Sequence, residues 1–297
     1  MSSLSYTLND GNTIPWLGFG TGTALYGKDA SSQVKAAIDH GITHLDGAQV
    51  YQNEKALGEG IKASGKPRES LFVTTKFGPN TKGPTPVIRD TLVESLSKLG
   101  LDYVDLFLIH QPYPLNERGE LKKTWQELEA IQKEGLAKSI GVSNYRVVDL
   151  KELLEGATVV PAVNQIEFHP YVFDTAEEIY EFSKSKGIRI ASYAGLAPIT
   201  HVKGGPVDAP VNAAAERLSK ETGKTVEPAH VLTKWLLQKG IIVVTTTSKP
   251  ERITATLNVP NLPDLTAEEL KAIDVEGAKL HRRIYMRHVF GEAKANV

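Results

Sequence analysis

The chain contains no cysteine in 297 residues. That absence excludes disulfides, thiolate nucleophiles and cysteine-ligated zinc or iron–sulfur centres, and it fits a reducing compartment. No apolar run approaches the roughly 18 residues that a membrane span needs. The first residues, Met1-Ser-Ser-Leu-Ser-Tyr6, lack the charged-then-apolar pattern of a signal peptide. A cytoplasmic protein with no membrane contact is therefore expected. Neither sign of charge is in excess: 34 Lys and Arg stand against 35 Asp and Glu, a formal net charge of -1, so no global field draws nucleic acid or anionic lipid. The histidines are scattered, and His40 and His44 fall in different elements, so no metal site is expected.

What the chain does have is alternation. Hydrophobic residues make up 41%, enough for a sizeable core. Short strand-like runs, apolar on both faces, occur at 103–109, 139–142, 159–165, 188–193 and 241–244. Strands covered on both faces belong to parallel sheets with helical crossovers. Counting Leu17-Gly-Phe-Gly20, eight strands begin near positions 17, 43, 72, 104, 139, 161, 188 and 241, each followed by a helix-like segment. Eight such units predict a closed (β/α)8 barrel rather than an open sheet. The whole of 1–297 reads as a single barrel domain. A hairpin around the Asn9-Asp-Gly11 turn precedes it, and an extra helix after Thr266 and a tail follow. One helix is expected over 85–99, with Thr85 as cap, Pro86 first and Gly100 as its left-handed stop. Trp16 and Trp125 read as core packing.

Four polar side chains close predicted strands or open the segment beyond: Asp46, Tyr51, Lys76 and His110. Each alone has an ordinary explanation as a turn, cap, rim or packing residue. Together, at one end of a parallel barrel where loops carry the chemistry, they form a proton-delivery set. A free phenol has a pKa of about 10, and a neighbouring ammonium is expected to lower it. A carboxylate paired with that ammonium limits the cost of burying it, and an imidazole can orient a carbonyl oxygen. This chemistry suits protonation of an alkoxide forming from a ketone or aldehyde. The electrons must come from a cofactor, because no side chain donates hydride.

Ordered segments carry a resemblance along essentially the whole chain: Gly18-Phe-Gly-Thr21, Asp46-Gly-Ala-Gln-Val-Tyr51, Val73-Thr-Thr-Lys76, Asp105-Leu-Phe-Leu-Ile-His110, Gly141-Val-Ser-Asn144, Asn164-Gln-Ile-Glu-Phe-His-Pro170 and Pro250-Glu-Arg-Ile253. The chain resembles the aldo-keto reductases. The resemblance implies a TIM-type barrel, NADPH as cofactor, Tyr51 as the acid, Asp46 and Lys76 tuning it, and His110 orienting a small-molecule carbonyl substrate. It also implies that Ser143, Asn144 and Gln165 hold the nicotinamide carboxamide, that Tyr193 stacks on the ring, and that Gly22, Thr23, Gly195 and Leu196 line the path of the ribose and pyrophosphate. Asp46 borders the cofactor as well.

At the phosphate end, relatives often carry Pro-Lys-Ser where this chain has Thr245-Thr-Thr247, so a threonine, Thr246, replaces the usual lysine. The run Thr245, Thr246, Thr247, Ser248 and Lys249 opens the final barrel helix, which suits an anion, and Arg252 is placed to grip a 2′-phosphate. Tyr26, Gln111, Tyr113 and the 204–210 loop are further pocket candidates. The basic run 279–288 reads as a solvated surface, or by resemblance as a flap over the pocket. Aldose-reductase-like relatives crowd the carbonyl with tryptophans where this chain has Gly22 and Gln111. The expected substrate is therefore an activated ketone: an α-dicarbonyl, a conjugated polyketone or a ketopantolactone-type compound, as for similar fungal reductases. A general aldehyde or aldose reductase, an NADPH-sensing regulatory barrel with weak turnover, and a Schiff-base aldolase using Lys76 are the alternatives. The protein is expected to be a monomer or homodimer.

Overall fold

A computed structural model describes residues 4–79, 81–247 and 249–291. The chain opens with a hairpin, β1 (Ser5–Thr7) antiparallel to β2 (Thr13–Pro15), with Tyr6 opposite Ile14. Eight strands follow: β3 (Leu17–Gly20), β4 (His44–Asp46), β5 (Phe72–Phe77), β6 (Val104–Ile109), β7 (Ala137–Ser143), β8 (Val163–Glu167), β9 (Arg189–Tyr193) and β10 (Ile242–Thr245). All pair in parallel, and β10 returns to β3 with Val243 opposite Leu17, closing the expected barrel.

Period-two alternation along each strand divides the barrel interior into a dry floor and a polar mouth. On β5 the inward series is Phe72, Thr74, Lys76; on β6 it is Leu106, Leu108 and, one residue past the strand, His110; on β8 it is Val163, Gln165, Glu167. The lower members pack together with Ala191 and Ile242, and Leu8 and Ile14 of the hairpin join the same cluster. Side chains fasten this plug to the strand starts: Asn9 donates to the Pro161 carbonyl at 2.9 Å and Asn12 to Ser139 Oγ at 3.1 Å. With the N-terminal end stoppered, the opposite end is left to bind.

Helices cover the outside, where one large apolar cluster includes Trp16, Trp125 and Trp235, so the first two tryptophans pack as expected. The helix expected from Thr85 begins later, at Ile88–Leu99, capped by Val87. Thr85 instead donates its hydroxyl to Glu120 at 2.6 Å, so a tertiary partner takes the side chain from the local cap. Its stop is as read: Gly100 has φ 67°, a conformation cheap only for glycine. After the barrel, helix Ala267–Ala278 is capped reciprocally by Thr266 and Glu269. Among the described residues no helix is long and apolar enough to cross a membrane.

Candidate active site

The C-terminal ends of the strands enclose a cavity of about 930 Å³, at the upper end of the range for small-molecule sites. Asp46, Tyr51 and His110 line one part of it. Lys76 lies behind them, fully buried, with Nζ 2.5 Å from Asp46 Oδ1 and 2.8 Å from the Gly47 carbonyl. Gln165 donates to the other carboxylate oxygen, Asp46 Oδ2, at 2.8 Å. Both oxygens of Asp46 are thus engaged, and an ion pair that would be costly if half-made is complete. Because Lys76 does not line the cavity and is held twice, it is not placed to condense with a carbonyl as a Schiff-base lysine.

Tyr51 sits on a 3-10 turn, Gln49–Tyr51, just beyond β4. Gln49 pins that turn, donating to the Thr91 carbonyl and to Ser95 while accepting from the Gly78 amide, each at 3.2 Å. The Tyr51 ring meets His110 edge-on at 5.5 Å and Tyr26 at 6.1 Å, and Lys76 Nζ lies 5.1 Å from its centroid. A Cβ on Gly22 would stand 2.9 Å from Tyr51 Cζ, so the phenol rests directly on a backbone that only glycine leaves bare.

The electrostatics differ from the sequence expectation in one respect. Burial, and then the charge of Asp46 and the nearby Tyr26, push the Tyr51 phenol well above the ordinary tyrosine range rather than below it. The Lys76 ammonium is committed to Asp46 and is itself lowered by burial, so it does not counter that rise. Burial followed by the Lys76 charge lowers His110 to about 3. The mouth therefore holds a protonated phenol beside a neutral imidazole at neutral pH.

The cavity continues past Gly20, Gly22, Thr23, Asn144, Gln165, Tyr193, Gly195 and Leu196 to Thr245 and Thr246. The residues expected along a dinucleotide from Gly22 to Thr246 therefore line one cavity, whereas Thr247, Lys249 and Arg252 lie beyond its lining. Ser143 is also off the lining: buried behind Asn144, it donates to the Gln165 carbonyl at 2.7 Å and accepts from Asn144 Nδ2 at 3.0 Å. Asn144 Nδ2 also donates to the His110 carbonyl at 2.9 Å, and Asn144 Oδ1 accepts from the Tyr193 hydroxyl at 2.7 Å. Four residues outside glycine with left-handed backbone line this cavity: Thr23, Asn144, Ala194 and Met286. Such conformations cost on the order of 1–3 kcal/mol each and concentrate at functional sites.

At the far end, Thr246 is not a free hydroxyl, because it donates to the Gly20 carbonyl at 2.7 Å. Thr247 accepts from the Lys249 amide at 3.1 Å and faces a smaller cleft with Ser32 and Gln33. Lys249 and Arg252 are exposed, and no ion pair among the described residues engages either. Ser248 lies outside the described residues. Of the pocket candidates, Tyr26 lines the cavity. Gln111 and Tyr113 do not; both are held by His288, through a 2.9 Å bond and an edge contact at 5.7 Å. The 204–210 loop is also absent from the lining; it packs near Tyr171 and opens helix Asp208–Thr222. The C-terminal run, legible beforehand only as a flap, supplies two wall residues, Tyr285 and Met286, and its Arg283 is buried rather than solvated. Their signal was an aromatic and a methionine inside a basic stretch. Val50 and His201 carried none.

A family model described as the aldo/keto reductase family matches residues 17–275. The chain belongs to this family. It is 38% identical over 287 residues to the NAD/NADP-dependent indole-3-acetaldehyde reductase of Schizosaccharomyces pombe, covering 94% of this chain and 97% of that one. It is 34% identical to the NADPH-dependent alpha-keto amide reductase of Saccharomyces cerevisiae, covering 97% and 95%. Among solved structures, the Bombyx mori aldo-keto reductase in complex with NADP superposes with a TM-score of 0.80 at 32% identity, covering 97% of each chain. The protein is thus an aldo-keto reductase, an oxidoreductase of carbonyl compounds that depends on a nicotinamide dinucleotide. The cavity fits such a group: one space joins the Tyr51–His110 corner to Thr245 and Thr246, and the exposed cations Lys249 and Arg252 follow within six residues in sequence.

Proposed function

We propose that the protein reduces activated ketones with NADPH, and that Tyr51 is the general acid. The observation that carries the mechanism is the pairing of half-buried Tyr51 with buried His110, opening onto the cavity above the closed Asp46–Lys76–Gln165 network. A bound nicotinamide dinucleotide supplies the hydride. Neutral His110 orients the carbonyl oxygen toward the phenol. As the carbonyl carbon gains hydride, its oxygen becomes an alkoxide, far more basic than a phenolate, and the O–H bond of Tyr51 breaks as the alcohol O–H forms. Tyr51 is protonated at neutral pH, so the proton is in place for that step. Lys76, paired with Asp46, neutralises the carboxylate charge that would otherwise oppose the phenolate left behind.

Asn144, Gln165 and Tyr193 would hold the nicotinamide, with Ser143 supporting Asn144 from behind. Lys249 and Arg252 would meet a 2′-phosphate, and this carries the choice of NADPH. Thr246, tied to Gly20, would shape the wall rather than grip the phosphate. For the substrate, Gly22 presents no side chain, Tyr26, Val50, Tyr285 and Met286 give an apolar rim, and the Saccharomyces relative is named for an α-keto amide. The indole-3-acetaldehyde relative favours a second reading, reduction of an aromatic aldehyde against the same rim. The test is cofactor oxidation by purified protein against isatin, ketopantolactone, an aromatic aldehyde and simple aldoses, each with NADPH and NADH. Efficient reduction of the first two is expected. Aldoses turned over equally well would remove the activated-ketone assignment.

A further inference from the structure

One motif residue has no part in the chemistry above. Glu167 ends β8, two residues beyond Gln165 on the same inward face, and is completely buried. Its carboxylate points at the C-terminal segment rather than at the cavity. Oε1 accepts from the Ile284 amide at 2.8 Å and from His169 Nε2 at 2.9 Å; Oε2 accepts from the Tyr285 amide at 2.8 Å. Buried Arg283 lies 3.9 Å from the same Oε2, and its guanidinium stacks 4.0 Å over Phe290. Two successive backbone amides converging on one ionised carboxylate make a charge-assisted clamp, stronger than a pair of neutral bonds.

We infer that Glu167 is the positioning residue that clamps the C-terminal segment as a wall of the pocket and so sets which carbonyl compounds fit. The clamped amides are those of Ile284 and Tyr285. The Tyr285 ring meets Tyr193 at 5.9 Å and His201 at 6.5 Å, and Met286 follows in left-handed backbone, both lining the cavity. Further along, His288 bonds Gln111 across the barrel. Strand β8 therefore has two jobs from adjacent inward positions: Gln165 completes the Asp46 network, and Glu167 fixes the wall facing it. Burial alone would raise the Glu167 carboxyl, but the His169 contact and the two amides outweigh it and hold the group below its ordinary value, so the clamp stays charged at neutral pH.

This inference rests on the carbonyl-reductase reading for its consequence, but not for its mechanics. Glu167→Gln places an NH2 against one of the two amide donors and removes the charge; Glu167→Asp keeps the charge and withdraws it by one methylene. In hydrogen–deuterium exchange on the ligand-free protein, both variants are expected to speed exchange of the 280–291 peptide at least tenfold, leaving the barrel strands unchanged. KM for a bulky ketone such as isatin should move at least fivefold, while kcat for a small aldehyde stays within about twofold. Unchanged exchange, or kcat and KM shifting alike for large and small substrates, would overturn the clamp. Failure of both variants to fold would show that Glu167 holds the barrel itself, and would also overturn it. Altered exchange in a protein that reduces no carbonyl would leave the clamp standing and remove the functional reading instead.

Discussion

The two ends of the cavity are built on opposite principles. Around Tyr51, every charged or amide group has its partner inside the barrel: Asp46 is bonded on both oxygens, Lys76 twice, and Asn144 on both ends of its amide. At the other end, the hydroxyls of Thr246 and Thr247 serve the backbone, and Lys249 and Arg252 are exposed with no ion pair among the described residues. The first region is organised before anything binds, as electrostatic catalysis requires. The second has no such network among the described residues. A substitution in the first should damage the protein or its chemistry severely, and one in the second should shift only affinity.

The sharpest break is Tyr51→Phe. It removes the transferable proton while keeping the ring against His110 and Gly22. Loss of general-acid catalysis is worth about 10²- to 10⁴-fold, so kcat should fall by that factor with dinucleotide affinity unchanged by fluorescence titration. Turnover within tenfold of the parent would mean that another group delivers the proton. Lys76→Met is expected to cost next most, this time in stability. It leaves Asp46 buried with Gln165 as its remaining side-chain partner, and breaking a buried pair from one side costs about 3–5 kcal/mol. Urea midpoints would show it; a loss under 1 kcal/mol would mean that water reaches Asp46.

Acid probes the same region without mutation. His44 is buried, bonded to Thr74 at 3.1 Å, and lowered by burial to about 4; His110 is lowered to about 3. Unfolded histidine titrates near 6.5. Below that pH the unfolded chain takes up protons that the folded chain refuses, so stability is complete above about 6.5 and falls as the pH drops toward 4. The slope approaches about 1.4 kcal/mol per pH unit for each imidazole. Denaturation midpoints at pH 7, 6 and 5 should descend, while kcat of the still-folded protein stays level because neither Tyr51 nor His110 titrates there. A flat midpoint would show that these imidazoles accept protons in the fold.

The contrast between the two ends also explains what the sequence made legible. Lys76 and His110 could be placed because a strand fixes side-chain direction by parity, and a parallel barrel brings every strand end to one mouth. Tyr51 followed from its short distance past Asp46. The direction of its pKa did not follow, because that depends on whether Lys76 faces the phenol or the carboxylate, a matter of ångströms. Thr85 was misplaced as a cap because Glu120, 35 residues away, competes for its hydroxyl. Tyr285 and Met286 belong to a segment with no periodicity of its own, positioned by a carboxylate more than 100 residues earlier in the chain. No local pattern encodes that.

The phosphate end should respond more mildly, and its two kinds of residue can be told apart. Arg252→Ala removes an exposed cation, whose bond to a phosphate is worth about 1.5–3 kcal/mol at most and less when solvent screens it. KM for NADPH is expected to rise about tenfold with KM for NADH unchanged. Thr246→Val is the smallest change and the most discriminating. It keeps the shape of the side chain and deletes only the hydroxyl bonded to the Gly20 carbonyl, a neutral contact worth about 1 kcal/mol of stability. Since that hydroxyl is committed to the β3 backbone, the NADPH-to-NADH preference should stay within twofold while the urea midpoint drops slightly. A preference that collapses in Thr246→Val but survives in Arg252→Ala would reverse the assignment, making the threonine the phosphate ligand and the far end of the cavity as preorganised as the near one.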